Sequence, residues 1–310
     1  VQEKAFSSYG EKLGMPVYEW KDPSMPKKAL IVAVHGLTFY GHAFDETATK
    51  LASQGYQVYA YDLRGFGRWQ TEKSKFPSDC KPHYDQGVED GCKLIELLHK
   101  ENPNSKIICL GESLGANMAL ILATKQADAL SGIILSGLAI KQTWHPQPVW
   151  LKSGFNCIFF PKKPFDLEPY SKRYLSSDPA VIQTYLNDPQ IFRQLTYVEL
   201  IKALVLNARG IEQADKIPPT VRILVLSGGQ DHVFKPKQLT WFAQKAGKER
   251  TTIKILPNKG HLLLELQPLD PKIADTMEDW LDNIIQPNKL AQPTGVTQPV
   301  SIVSQSNPGS

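Results

Sequence analysis

Short runs of β-branched and apolar residues alternate along this chain with stretches whose apolar positions recur every three to four residues. After a candidate strand at 15–20, the first strong run is 29–35 (ALIVAVH); a helical pattern over 44–54 follows and stops at Gly55. Residues 57–61 (QVYAY) read as the next strand, leading into a Gly-rich loop at 62–68 and a helix over 84–100. The strand 106–110 (KIICL) comes next, then a small-residue helix at 114–125 and a strand at 132–135. Two later strands, 221–227 (VRILVLS) and 252–256 (TIKIL), each precede a helical pattern, at 236–246 and 271–285. This alternation predicts an α/β fold with a mainly parallel central sheet flanked by helices.

Two segments interrupt it. Residues 139–217 hold no convincing parallel strand but many aromatics, among them Trp144, Trp150, Phe155, Phe165 and Tyr185. An insertion of this length in an α/β sheet reads as a helical cap over the functional face, although its aromatics also suit a small core of its own. From Gln286 onward Pro, Gln, Ser, Thr and Asn dominate, a composition too poor in apolar surface to offset the entropy of ordering. The expected organisation is therefore core at 1–138, cap at 139–217, core again at 218–286 and a disordered tail at 287–310.

Composition changes this picture little. The 310 residues are 42% hydrophobic and 21% charged, and 35 basic against 31 acidic residues give a net charge of +4. The basic residues are scattered, so phosphate-backbone recognition of nucleic acid is not expected. Weak attraction to an anionic membrane surface through the cap fits the mild basicity. Cys80, Cys92, Cys109 and Cys157 form no Cys-x-x-Cys pair, which leaves a zinc or redox reading unsupported. A Cys80–Cys92 bridge is allowed if the protein is exported. No apolar run approaches the eighteen or so residues that span a bilayer. The chain begins Val1-Gln2-Glu3, and the expectation is export with a signal peptide removed, the alternative being a trimmed chain.

The chemistry enters at Gly111-Glu112-Ser113-Leu114-Gly115, a Gly-x-Ser-x-Gly motif between a buried-strand pattern and a helix. The pentapeptide alone is a weak signal; its place on a strand-to-helix turn is what points to a nucleophile elbow with Ser113 as nucleophile. A serine hydroxyl needs a base, and of the seven histidines only His261 stands in a loop between the last strand and the last helix. An acid that orients it is expected after the preceding strand, where Asp231 lies; Asp215 precedes that strand and competes poorly. Donors for an oxyanion are expected from the backbone N–H groups of Leu37 and Leu114.

Together these residues resemble the monoacylglycerol lipase and lysophospholipase branch of the α/β-hydrolases. The resemblance runs through VAVHGLTFYGHAFDETATKLASQGYQVYAYDLRGFGRW, GESLG, SSDPAVIQTYLNDP, VLSGGQDHVF and NKGHLLLE, and its most specific part is the paired Asp178-Pro179 and Asp188-Pro189 of the cap. The chain departs from the branch at Leu63, Phe66 and Arg68, where Asp-His-Arg-Gly-His-Gly and a small residue are usual, and at Ala116, where many members have Gly. The resemblance implies hydrolysis of an acyl ester of a glycerol lipid by a Ser-His-Asp triad and an acyl-enzyme, with no cofactor and no metal. An aminopeptidase or acyltransferase using the same triad, and a non-catalytic binding protein on the same fold, are the rival readings.

Overall fold

The computed structural model describes residues 1–77, 79, 81–140, 158–234 and 238–285. Trp144, Trp150 and Phe155 of the insertion, Cys80 and Cys157, and the expected tail at 287–310 lie outside the described residues.

The strands are β1 (Gln2–Lys4), β2 (Val17–Lys21), β3 (Ala29–Val34), β4 (Tyr56–Tyr61), β5 (Ile107–Glu112), β6 (Leu130–Ser136), β7 (Arg222–Gly228) and β8 (Thr251–Leu256). They form one sheet in the order β1-β2-β4-β3-β5-β6-β7-β8. All pairs from β4 to β8 are parallel, and β2 joins β4 antiparallel. The sequence pattern gave no sign of β1. Gln2-Glu3-Lys4 has no apolar alternation, and it becomes a strand through backbone pairing that sets Glu3 opposite Trp20.

Strand period two sorts the core onto two faces. Leu30, Val32 and Val34 of β3 point one way, joined by Ile223 and Val225 of β7. Ala29, Ile31 and Ala33 point the other way with Leu224 and Leu226. The first face is covered by α4 (Tyr84–Glu101), α5 (Leu114–Lys125) and α9 (Leu239–Ala246), the second by α2 (Asp45–Ser53) and α10 (Pro271–Ile285). Helix α10 shows why it lies on the surface: Ile273, Ala274, Met277, Trp280 and Leu281 are buried at helical spacing while the intervening positions face outward. Helix α5 is buried almost all round, because it lies between the sheet and the long helix of the insertion at Tyr197–Glu212.

Between β6 and β7 the chain forms α6 (Glu168–Tyr174), α7 (Pro179–Asn187) and α8 (Tyr197–Glu212). Asp178 caps α7 by accepting the Ala180 N–H, and a capping box of Thr196 and Glu199 starts α8. Two short helices are α1 (Ser8–Leu13) and α3 (Arg68–Thr71). Among the described residues no helix is long and apolar enough to cross a membrane.

Asn117 anchors the insertion to the core. Fully buried on α5, its amide donates to the carbonyls of Ala139 and Asn207 at 2.9 Å each and accepts the Ala139 N–H at 3.1 Å. Replacing Asn117 by Ala strands these buried backbone groups. Urea unfolding is expected to show a loss of about 3 kcal/mol.

Candidate active site

Every parallel strand used here delivers its side chains at its carboxyl end, where ligands bind in open α/β sheets. Strand β5 lies between β3 and β6, and its end turns directly into α5. At that turn Ser113 has φ 56° and ψ −117°, a left-handed conformation that lifts its hydroxyl clear of both elements. The motif glycines are required by crowding. A Cβ on Gly111 would strike the backbone of Gly115, and one on Gly115 would strike the Val34 carbonyl at the end of β3. The Ser113 N–H donates to the Ser136 carbonyl at 2.8 Å, which ties the turn to β6.

The structure brings Ser113, His261 and Asp231 together. His261 Nε2 lies 2.9 Å from Ser113 Oγ, and His261 Nδ1 lies 2.8 Å from Asp231 Oδ2. Asp231 follows β7 and is held by the N–H groups of Val233 and Phe234, which donate to Oδ1 at 2.7 and 2.9 Å. With the carboxylate an acceptor, the His261 proton sits on Nδ1 and Nε2 is free to accept from the serine hydroxyl. Burial opposes an imidazolium at His261. The Asp231 and Glu112 carboxylates more than offset this, so its pKa lies above the ordinary imidazole value.

Leu114 opens α5, so its N–H has no carbonyl acceptor within the helix. Leu37 follows β3, and among the described residues no turn or loop hydrogen bond takes up its N–H. Asp215, by contrast, lies away from this cluster, paired with Lys245 at 3.8 Å. His83 pairs with Asp79 and His42 with Glu3.

Three buried groups around the cluster give no local sequence signal. His35 accepts the Leu63 N–H at Nε2 (2.9 Å) and donates from Nδ1 to the Gly36 carbonyl at 2.8 Å. Burial holds this ring neutral, lowering its pKa to about 4. The Glu112 carboxylate accepts the consecutive N–H groups of Leu263, Leu264 and Glu265 together with the Ser136 hydroxyl. It thereby fixes the loop that follows His261. The Glu265 side chain in turn accepts the Gly36 N–H at 2.9 Å. Both acids were hidden as ordinary residues within GESLG and HLLLE.

The insertion reaches the same loops. Thr38, at φ 76°, lies 3.2 Å from the Tyr185 hydroxyl, and its carbonyl accepts the Phe192 N–H at 3.0 Å. Tyr40 donates to Asp188 at 2.7 Å, and the Phe66 ring meets Phe192 edge-on. Phe66, a departure from the resembled pattern, thus packs between the insertion and His35. Among the described residues one group brings metal-type ligands together, Glu3, His42 and Asp45. It is partly exposed near the sheet edge, and Asp45 already accepts the Trp20 indole N–H.

The sheet order and a strand–serine–helix turn, with an acid and a histidine after the last two strands, define an α/β-hydrolase fold. Residues 25–267 match the serine aminopeptidase, S33, family, and the chain belongs to it. The monoglyceride lipase of Mus musculus is 23% identical over 269 residues, which cover 86% of each chain. A soluble variant of the monoglyceride lipase of Saccharomyces cerevisiae, solved with a substrate analog, superposes with a TM-score of 0.70 at 19% identity, covering 91% of this chain and 94% of that one. A thermostable carboxyl esterase of Bacillus coagulans, solved with glycerol, gives 0.72 at 19% identity over 92% and 98% of the two chains.

The neutral state of His35 has a measurable consequence. Between pH 6.5 and about 4 the unfolded chain binds a proton at His35 that the native state does not, so native stability falls as pH falls through that window. In His35→Gln this contribution is absent, and the slope of stability against pH, read by urea unfolding at successive pH values, is expected to be shallower there.

Proposed function

We propose that this protein hydrolyses carboxylic esters of lipid size, as an acylglycerol lipase or lysophospholipase, with Ser113, His261 and Asp231 as its catalytic triad. The observation that carries the reading is the unbroken hydrogen-bonded path from Ser113 Oγ to His261 Nε2, and from His261 Nδ1 to Asp231. As Oγ attacks the acyl carbonyl, its proton passes to Nε2, and the Asp231 carboxylate stabilises the imidazolium that forms. The carbonyl oxygen becomes an oxyanion and takes the N–H groups of Leu37 and Leu114, each worth about 2.7–4 kcal/mol in comparable sites. His261 then returns the proton to the leaving alcohol, leaving an acyl-enzyme. Water attacks it with the same histidine as base and frees the acid and Ser113. The reaction requires neither metal nor organic cofactor.

Residues 139–217 act in this reading as the cap that lines the acyl site. Its acids favour an ester over a peptide. A peptidase that takes a free amine needs an uncommitted acidic pocket, whereas these carboxylates are engaged elsewhere. Glu168 pairs with Lys172, Asp178 caps α7, Asp166 accepts the Glu168 N–H, and Asp188 accepts from Tyr40 and the Gln190 N–H. On the outer side of α8, Ile201, Leu204 and Val205 are exposed at helical spacing, a surface suited to transient contact with a membrane that holds the substrate. The mouse and yeast relatives carry the name monoglyceride lipase, which agrees with a glycerol ester.

Purified protein is expected to hydrolyse short and medium acyl p-nitrophenyl esters, and Ser113→Ala to lose at least about 10⁴-fold in kcat. A panel of monoacylglycerols, diacylglycerols, lysophospholipids and aminoacyl amides is expected to favour a single-chain glycerol lipid. Retention of most esterase activity by Ser113→Ala, or a preference for aminoacyl amides, contradicts the reading.

A further inference from the structure

Glu265 is fully buried, it makes no ion pair among the described residues, and the proposed triad does not use it. Its Oε1 accepts the Gly36 N–H at 2.9 Å across 229 residues of sequence, while Oε2 has no hydrogen-bond partner. Oε2 fills the space where a side chain at this glycine would go, since a Cβ at Gly36 would stand 3.0 Å from it. On the other side of Gly36, His35 Nδ1 donates to the Gly36 carbonyl. Both peptides flanking the residue are therefore held, the preceding one by Glu265 and the following one by His35 and by the Phe39 N–H, which donates to the Gly36 carbonyl at 3.2 Å. The following peptide carries the Leu37 N–H. Glycine is the residue whose backbone rotates most freely, so the direction of that N–H depends on contacts on both sides of it, Glu265 before and His35 and Phe39 after.

We infer that Glu265 is a positioning residue of the oxyanion hole, its buried carboxyl group aiming the Leu37 N–H by pinning Gly36. This rests on the hydrolase reading above. The strut is itself anchored, because the Glu265 backbone N–H donates at 2.9 Å to Glu112, the residue before Ser113. Two carboxyl groups in series thus connect the nucleophile turn, the loop after His261 and the loop after β3.

The electrostatics fit the role. Glu112 faces Glu265 from β5, neutral His35 stands at the end of β3, and His261 acts on the far side of Glu112. Burial, with the Glu112 carboxylate second, favours the protonated form of Glu265. A neutral acid still accepts through its carbonyl oxygen, yet adds no negative charge beside a developing oxyanion. What the site asks of residue 265 is an uncharged oxygen acceptor at this point in space, which an amide also supplies.

The experiment compares Glu265→Gln and Glu265→Ala with the wild type and with Ser113→Ala, using a p-nitrophenyl ester and, separately, the rate of labelling by a fluorophosphonate probe. Glu265→Gln is expected to keep kcat within about threefold. Glu265→Ala is expected to lose about 10- to 100-fold in kcat and in labelling rate, with KM changed less than about threefold, somewhat under the loss seen when an oxyanion donor is itself removed. Should Glu265→Ala fail to fold, Glu265→Met keeps the volume without an oxygen and carries the same expectation. A folded Glu265→Ala or Glu265→Met with wild-type kcat overturns the inference, and so does a Glu265→Gln as slow as the apolar variants. Either result beside an inactive Ser113→Ala leaves the hydrolase reading standing; an active Ser113→Ala overturns that reading instead.

Discussion

Where β5 ends and α5 begins, three backbone segments meet without side chains between them. Gly111 rests on Gly115, and Gly115 rests on the Val34 carbonyl at the end of β3. The close approach fixes the axis of α5 against the sheet and leaves Ser113 at φ 56°. A non-glycine residue held in such a region costs about 1–3 kcal/mol. Burial of α5 along nearly its whole length, between the sheet and α8, offsets that cost. The same approach places the N-terminus of α5, with the Leu114 amide, next to the loop that leaves β3. The proposed nucleophile and the proposed oxyanion site are consequences of one packing contact.

Around this contact the loops at the strand ends are joined by buried carboxyl groups as well as by the apolar packing of residues such as Phe39, Leu263 and Leu264. Asp231 uses one oxygen for the Val233 and Phe234 amides and the other for His261. Glu112 takes three successive amides of the loop after His261, a concave arrangement of N–H groups that suits an anion. Hydrogen bonds of this kind are directional in a way that side-chain packing is not. The loops after β3 and β8 also touch the insertion, through Tyr185 and Phe192 at Thr38 and through the Leu175 carbonyl, which accepts the Leu262 N–H. The site is thereby rigid on its sheet side and contacted from above by α7 and the segment after it.

Much of this architecture is written locally. The runs at 29–35, 106–110 and 221–227 alternate with helical patterns, and strand β3 and helix α10 lie within a residue or so of where periodicity puts them. Ser113, Asp231 and His261, which the structure brings together, were legible because each follows a recognisable strand and because a serine proposed as nucleophile needs a base and an acid that holds the base. Glu112 and Glu265 were not. The first occupies a variable position inside a motif, and the second bonds a glycine 229 residues away, a relation without any periodic trace. Strand β1 escaped for a related reason, since its pairing depends on β2 and not on its own three polar residues. The contacts of Thr38 and Tyr40 with Tyr185 and Asp188 likewise exist only once the insertion has folded over the loop after β3.

The central claim is that Ser113 is the residue whose oxygen becomes acylated. It is tested most directly by reacting the native protein with a fluorophosphonate and locating the adduct by tandem mass spectrometry of its peptides. A single phosphonylated residue, Ser113, is expected, with denatured protein unlabelled. An adduct on another residue, or no adduct on folded protein, would contradict it.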